Sequence, residues 1–235
     1  RRQGDELERQ LRKAGSPNTW NDNDIQTRFR YNQAFLSVNA MVPSVFMLML
    51  CLIPAIMSAI AVVREKETGS IANFRSTPIT KFEFLLGKQL PYVAVAMVNF
   101  FFLLAMAIFV FGVPLKGPFL TLLIGTIVYV VSTTGFGQLI SSFTRTQVAA
   151  VFATAILSIV PAVNFSGLFA PVSSLSGAAK ILGLTFPSAW YQPITVGVFA
   201  KALGMSDLWR NVVAIFIIAL AYLILSLVFL RKQES

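Results

Sequence analysis

Long uncharged runs fill most of the chain and are separated by short charged or proline-containing segments. A helix needs about 20 apolar residues to cross a bilayer core about 30 Å thick. Runs of that length predict five membrane-spanning helices, at about 40–63, 89–113, 118–142, 147–170 and 210–230. Pro54, Pro91 and Pro161 lie inside these runs and are candidate kink positions. The pattern therefore predicts an all-α fold, a polytopic membrane helical bundle.

One further apolar segment, at about 171–208, does not fit a simple span. Three prolines, Pro171, Pro187 and Pro193, and four glycines interrupt it. Broken backbone cannot face lipid, because each unpaired amide costs several kcal/mol there. We therefore expect a re-entrant hairpin on the outer side of the membrane, with Trp190 and Tyr191 near headgroup level. The alternative is a sixth span, over about 181–200.

The densest charge lies in the connection at 64–88. Five Lys or Arg and three Glu occur between residues 62 and 88. Arg64 to Glu67 should extend the first helix into water, and Gly69 should end it, since glycine favours the position after a helix. Thr80 and Glu83 have the spacing of a capping box, which predicts the start of the next helix.

A short amphipathic helix is predicted between those two helix ends. Ser70 can cap it, Ile71 and Phe74 share one face at a spacing of three, and Pro78 stops it. Such a helix would lie across the inner face of the membrane. Its apolar face could rest on lipid headgroups or dock on a protein partner, and the residues alone leave both readings open.

The distribution of Lys and Arg predicts the orientation of the bundle. Basic residues in short loops favour the cytoplasmic side. Eight Lys or Arg residues lie on the side that holds loop 64–88 and the C-terminus, and four lie on the other side. We therefore expect loop 64–88 to be cytoplasmic and residues 1–33 to be extracytoplasmic, although that first segment holds seven basic residues of its own.

Composition narrows the function. The chain is 56% hydrophobic and 12% charged, against about 25% charged in soluble domains. The net charge is +9. The basic residues lie between apolar runs and are not interleaved with aromatic residues, so no nucleic-acid role is expected. Histidine is absent and Cys51 is the single cysteine, which disfavours a membrane-embedded enzyme and a metal site.

The spans contain few polar side chains that could form a pathway. No Asp, Glu, Lys or Arg lies deep in a span, which disfavours ion-coupled transport. Asn99, Gln138 and Asn164 are the candidate pathway residues, and each could instead form an interhelical hydrogen bond. A channel or a secondary transporter remains the alternative to the function inferred next.

The sequence Glu65-x-Glu67-x-Gly69-Ser70 is followed by Thr77-Pro78 and Gly87-Lys88. This pattern resembles the first cytoplasmic loop of the exporter membrane subunits called ATP-binding-cassette (ABC) type-two permeases, with Ser70 in place of the usual Thr. The run GQLISSFTRTQVAA (137–150) looks like one of their inner turns, and FSGLFAPVSSL with FPSAWY like their outer hairpin. The resemblance covers roughly residues 29–232.

The resemblance implies an architecture and a set of coupling residues. Members of that family have six spans, so the first would be missing here and residues 1–33 would be the remnant of a larger extracytoplasmic domain before a permease domain at 34–235. Loop 64–88 would couple the spans to a nucleotide-binding subunit. Its implied coupling residues are Glu65, Glu67, Gly69, Ser70, Ile71, Phe74, Thr77 and Pro78, of which Ile71 and Phe74 would face the ATPase.

The resemblance also implies the partners and the activity. ATP and Mg would be bound by a separate ATPase subunit, and this chain, which would not itself be an enzyme, would bind no cofactor. A second permease copy would form a homodimer or a heterodimer, a periplasmic adaptor could join them, and membrane lipids would surround the assembly. The substrate would be hydrophobic or amphipathic, drug-like or lipid-like, exported across the bacterial cytoplasmic (inner) membrane.

Overall fold

Seven α-helices make up the part of the chain that the structure, a computed structural model, describes: residues 37–69, 80–166 and 177–232. Within those ranges there is no β-strand, and the predicted all-α bundle is confirmed. The helices are α1 (Ser37–Glu67), α2 (Lys81–Ala105, continued by a π-helical turn at Met106–Val110), α3 (Phe119–Phe143), α4 (Gln147–Asn164), α5 (Ala178–Thr185), α6 (Ser188–Ala200) and α7 (Met205–Lys232).

Five of these helices, α1, α2, α3, α4 and α7, are long and apolar enough to cross a membrane. Each overlaps one predicted span, and the two largest differences are at the start of α2 and the end of α4. Helix α2 begins at Lys81, well before the predicted residue 89, because the Thr80 cap starts it inside the charged connection. Helix α4 ends at Asn164, before the predicted residue 170, and residues 167–170 lie outside the described ranges.

Helices α1 and α3 form the centre of the bundle. More than half of the apolar stretch of each is buried, 56% and 61%, against 22–28% for α2, α4 and α7. Lipid is as apolar as a leucine side chain, so burial inside a membrane bundle follows from close packing rather than from hydrophobicity. The peripheral helices therefore keep wide apolar faces for lipid or for protein partners.

Glycine and proline together set the contact between α1 and α3. A Cβ atom on Gly137 would lie 2.0 Å from the carbonyl oxygen of Ala55, so the two backbones meet where only glycine fits. One residue earlier on α1, Pro54 has no N–H, which deprives the Leu50 carbonyl of its usual helical donor. The Thr133 hydroxyl of α3 lies 3.2 Å from that carbonyl and can donate to it, in competition with the Val130 carbonyl of its own helix at 3.1 Å.

This compensation gives a testable prediction. Thr133→Val keeps the shape of the side chain but leaves the Leu50 carbonyl without a donor, and it should destabilise the bundle by about 1 kcal/mol. In a Pro54→Ala background the restored N–H of residue 54 can donate to Leu50, and the same change should cost less than half as much. Unfolding of all four proteins in mixed micelles forms the double-mutant cycle; equal costs in both backgrounds would contradict the compensation.

The predicted re-entrant hairpin is formed by α5 and α6. With 8 and 13 residues, neither helix reaches the length of a span. Beside α3, the start of α6 lies level with Tyr129, which hydrogen-bonds to Ser188 at 2.8 Å. Its end lies level with the start of α3, where the Gly117 N–H donates to the Val198 carbonyl at 2.8 Å. Neither helix is among the five that are long and apolar enough to cross a membrane, which disfavours the sixth-span alternative, and the re-entrant course stays a prediction.

The predicted headgroup position of Trp190 and Tyr191 is wrong. Tyr191 is fully buried, and its ring stacks on that of Tyr129 with centroids 3.9 Å apart. Its hydroxyl hydrogen-bonds to Thr126 at 2.8 Å. Trp190 is partly exposed and donates to the Leu184 carbonyl at 2.9 Å, close to the hairpin turn. Both residues lie at the depth of Tyr129, because the hairpin carries them inward.

Candidate functional site

The charged end of α1 contacts three other helices through three consecutive residues. Glu65 forms an ion pair with Lys88 of α2, with Oε1 and Nζ 2.6 Å apart. Lys66 reaches the last turn of α3, and Glu67 reaches the first residue of α4, Gln147. We call Glu65, Lys66 and Glu67 the charged clamp.

Helix geometry explains why neighbouring residues point to different helices. Successive α-helical residues are rotated by about 100°, so three in a row spread their side chains over about 200° of the helix surface. A helix at the centre of a bundle has neighbours in all of those directions. The central position of α1 therefore lets one short charged sequence contact α2, α3 and α4 at once.

Lys66 binds the carbonyl end of α3. Its Nζ donates to the Ser141 carbonyl at 2.7 Å and approaches that of Ser142 at 3.4 Å. The last carbonyls of a helix have no intrahelical donors and carry partial negative charge, so an ammonium group fits there. Partial burial lowers the pKa of Lys66 from its ordinary value.

Glu67 binds the opposite end of the next helix. Its carboxylate accepts the backbone N–H of Gln147 at 2.8 Å and also the side-chain amide of Gln147. The side-chain hydrogen bond and then the backbone one hold the pKa of this exposed carboxyl below its ordinary value. Thr146 caps the same helix by accepting the Ala149 N–H at 3.2 Å. The charges of Lys66 and Glu67 thus match the ends of the helix dipoles that they contact.

Both ends of loop 64–88 have the helix signals that the sequence predicted. Helix α1 ends at Glu67, and Gly69 follows with a φ of +69°, a left-handed conformation that suits glycine. At the other end, the Thr80 N–H donates to the Glu83 carboxylate at 2.8 Å, while the Thr80 hydroxyl accepts the Glu83 N–H at 3.3 Å, which confirms the capping box. Five predicted coupling residues lie outside the described ranges: Ser70, Ile71, Phe74, Thr77 and Pro78.

The three candidate pathway residues do not come together. Gln138 is fully buried near the end of α3 that Lys66 contacts. It donates a hydrogen bond between helices, to the Leu85 carbonyl of α2 at 2.8 Å. Asn164, at the far end of α4, is exposed and donates to Val160 of its own helix at 3.0 Å. Asn99 lies on α2 with its Nδ2 buried and without a hydrogen-bond partner. They stand on three helices at different depths and outline no shared polar path.

Sequence reasoning missed the polar side chains that tie the other helices to α3. Gln89 is buried and donates to the Val131 carbonyl at 2.8 Å and to the Thr134 hydroxyl at 2.9 Å. The Tyr129 hydroxyl donates to the Met47 carbonyl at 3.0 Å, which joins α3 to α1. A lone amide at the start of an apolar run was the available signal for Gln89. Within the described ranges, no group of three or more His, Cys, Asp or Glu could hold a metal ion.

Comparison with known proteins places this architecture in a family. The family model described as "ABC-2 family transporter protein" matches residues 3–228. The chain belongs to the ABC-2 family. The resemblance predicted from the loop motif is therefore confirmed. This membership and the five apolar helices make the ABC-2 chain a multi-pass protein of the inner membrane.

Several curated relatives of the ABC-2 chain are Escherichia coli permeases. It is 28% identical over 211 residues to the probable multidrug ABC transporter permease YbhS of strain K12, which covers 90% of this chain and 55% of the relative. The similarly named YbhR is 26% identical over 198 residues, 84% and 54% of the two chains. The inner membrane transport permease YhhJ is 24% identical over 214 residues, 88% and 56%. The chain spans about half the length of these relatives.

Proposed function

We propose that this ABC-2 chain is the membrane-spanning subunit of an ATP-driven exporter, with ATP and Mg bound and hydrolysed by a separate nucleotide-binding subunit. Two relatives are named probable multidrug ABC transporter permeases, and that name supports a hydrophobic or amphipathic substrate. The wide apolar faces of α2, α4 and α7 are compatible with a second permease copy beside this one. A periplasmic adaptor belongs to the same proposal.

The charged clamp is the observation that best supports coupling to an ATPase. The clamp lies at the start of loop 64–88, and it contacts the adjoining ends of α2, α3 and α4. A tilt or shift imposed on the loop by an ATPase dimer would therefore reach four spans at their predicted cytoplasmic ends. Rigid-body transmission needs such short, capped elements with few free torsions.

The proposal assigns two roles within the loop. Glu65, Glu67 and Gly69 hold the base of the coupling element against the bundle. Ser70, Ile71, Phe74, Thr77 and Pro78 form the element itself, with Ile71 and Phe74 facing the ATPase subunit. Two parts of the loop motif also contact each other, because Glu65 accepts a hydrogen bond from Lys88 of the Gly87-Lys88 pair.

Phe74→Asp tests the assignment directly. A carboxylate in the centre of an apolar contact is left desolvated and unpaired, so ATPase binding should weaken by about 2 kcal/mol or more, roughly thirtyfold. Asn73→Asp is the matched control, because it adds the same charge to a neighbouring position off the predicted face. Co-purification of the ATPase with the whole permease measures the effect.

Two results would refute the proposal. One is unchanged ATPase co-purification and transport in Phe74→Asp. The other is transport by vesicles that contain the permease but no ATPase and no ATP, which would favour a channel or a secondary transporter.

A further inference from the structure

The buried face of α4 differs from those of the other spanning helices in the part of the chain that the structure describes. It consists of four small residues at a spacing of four, Ala150, Thr154, Ser158 and Ala162. Each of the other four spans inserts large side chains into the core, among them Phe46 of α1, Phe100 of α2, Tyr129 of α3 and Ile215 of α7. Side chains that interlock with those of a neighbour fix the crossing angle of two helices. Helix α4 lacks such side chains on its buried face, so its tilt is less constrained.

The close contact between α4 and α1 lies near the charged clamp. Ala150 packs with Ala59 and Val63 of α1 in a cluster whose three members are fully buried. Small side chains let two helix backbones approach closely. At the adjoining end of α4, Glu67 accepts the backbone N–H of Gln147 at 2.8 Å. Packing and hydrogen bonds therefore hold this end of α4 together.

Farther from the clamp, a cavity separates the two helices. Its volume is about 190 Å³, and it is lined by Leu48 and Cys51 of α1 and by Ser158 and Ala162 of α4, among others. Pro54 lies between the part of α1 that contacts α4 and the part that lines the cavity, and a proline inside a helix commonly bends it. Atoms beside a cavity lose dispersion contacts, so the far half of α4 packs only loosely against α1.

The hydrogen bonds divide α4 in the same way. Within the described ranges, those that join α4 to another helix run between Glu67 and Gln147, at the clamp. The buried Thr154 and Ser158 hydroxyls have no hydrogen-bond partner, although Ser158 lies beside the thiol of Cys51, a weak partner. By contrast, hydrogen bonds tie α3 and the hairpin to α1 in its far half. The far half of α4 can thus move without breaking a hydrogen bond to another helix.

We propose that α4 is a hinged span, which pivots on the charged clamp while its far half moves toward and away from α1. From Gln147 to Ile159 the helix rises about 18 Å, so a change in tilt of about 10° displaces Ile159 by about 3 Å. Such a movement narrows or widens the cavity and leaves the contact at Ala150 in place. It is a property of the permease chain and does not depend on the proposed ATPase partner.

Distances between spin labels test the hinge. The whole permease, in a Cys51→Ser background and diluted with unlabelled protein, is reconstituted into phospholipid vesicles and measured by double electron–electron resonance. The far pair joins Phe102→Cys on α2 to Ile159→Cys on α4, and the near pair joins Leu90→Cys to Val148→Cys; all four positions are exposed. We expect the far pair to give a distance distribution that is split or wider by about 3 Å, and the near pair to give a narrow one.

Two variants locate the movement. Glu67→Ala removes the hydrogen bonds at the pivot, so the near pair should then broaden as well. Phe102→Cys with Ile217→Cys is the matched control, because it joins α2 to α7 and omits α4; its distribution should stay narrow. Where a labelled protein loses helicity or its elution position, Val98→Cys replaces Phe102→Cys and Ile156→Cys replaces Ile159→Cys, since both positions are exposed on the same helices.

Three results would overturn the proposal. Equal widths for the far and near pairs would show that α4 does not tilt. Equal broadening of the control pair would show that the movement does not belong to α4. A near pair that Glu67→Ala leaves unchanged would show that the clamp is not the pivot.

Discussion

Gly137→Ala is expected to disrupt the packing of α1 against α3, although it adds a single methyl group. The new Cβ would meet the Ala55 carbonyl oxygen at 2.0 Å and its carbonyl carbon at 2.8 Å. Both are backbone atoms, so no rotamer change relieves the clash and the helices must separate. These two helices form the buried centre of the bundle, and we expect a loss of about 3 kcal/mol or more of unfolding free energy.

Gly135→Ala is the matched control for that change. It lies two residues earlier on the same helix, and its added Cβ would have ordinary contacts at 3.7 Å with Gln89 and Tyr222. Alanine also has the better helix propensity, by about 1 kcal/mol, so this variant should be neutral or slightly more stable. Unfolding in mixed micelles compares the two. Equal stability of both variants would show that the α1–α3 contact is looser than the structure has it.

Lys66→Met is expected to uncouple transport from ATP hydrolysis while leaving ATPase binding intact. Methionine keeps much of the apolar stem but cannot donate to the Ser141 carbonyl, so the end of α3 is no longer tied to the base of the loop. A lost coupling free energy of about 1.4 kcal/mol corresponds to a roughly tenfold fall in transport per ATP hydrolysed. Substrate flux and phosphate release from the same vesicles measure that ratio.

Lys116→Met is the control for the clamp variant. Lys116 is exposed in the connection between α2 and α3, at the end of the bundle away from the clamp. The same loss of one positive charge there should leave the ratio of transport to hydrolysis unchanged. If Lys66→Met binds the ATPase and keeps a normal ratio, the clamp has a structural role only and the proposed route through α3 is wrong.

Local signals carried most of what the sequence predicted correctly. The Thr80–Glu83 capping box and the left-handed Gly69 depend on residues within one turn of each other, so their spacing in the chain is sufficient to find them. The positions of the five long helices follow equally from local apolar length. The coupling roles of the loop residues remain predictions, which Phe74→Asp and Lys66→Met address.

Contacts between distant residues could not be predicted in this way. The partner of Glu67 is 80 residues away in the chain and that of Gln89 is 42 to 45 residues away. The sequence predicted Tyr191 to be an interfacial aromatic residue because prolines interrupt the apolar segment around it. Its true environment, the Tyr129 ring and the Thr126 hydroxyl, is supplied by another helix.

The sequence by itself determined which segments are helical, where their ends are capped, and that a membrane is the solvent, because each of these depends on short-range composition and backbone chemistry. Only the tertiary structure decided that α1 and α3 are central and that three adjacent charges on α1 reach three different helices. It also decided that a cavity separates the far half of α4 from α1. In a membrane every helix surface is apolar, so the pattern of hydrophobic residues does not tell which faces meet; steric fit at Gly137 and a few buried hydrogen bonds do.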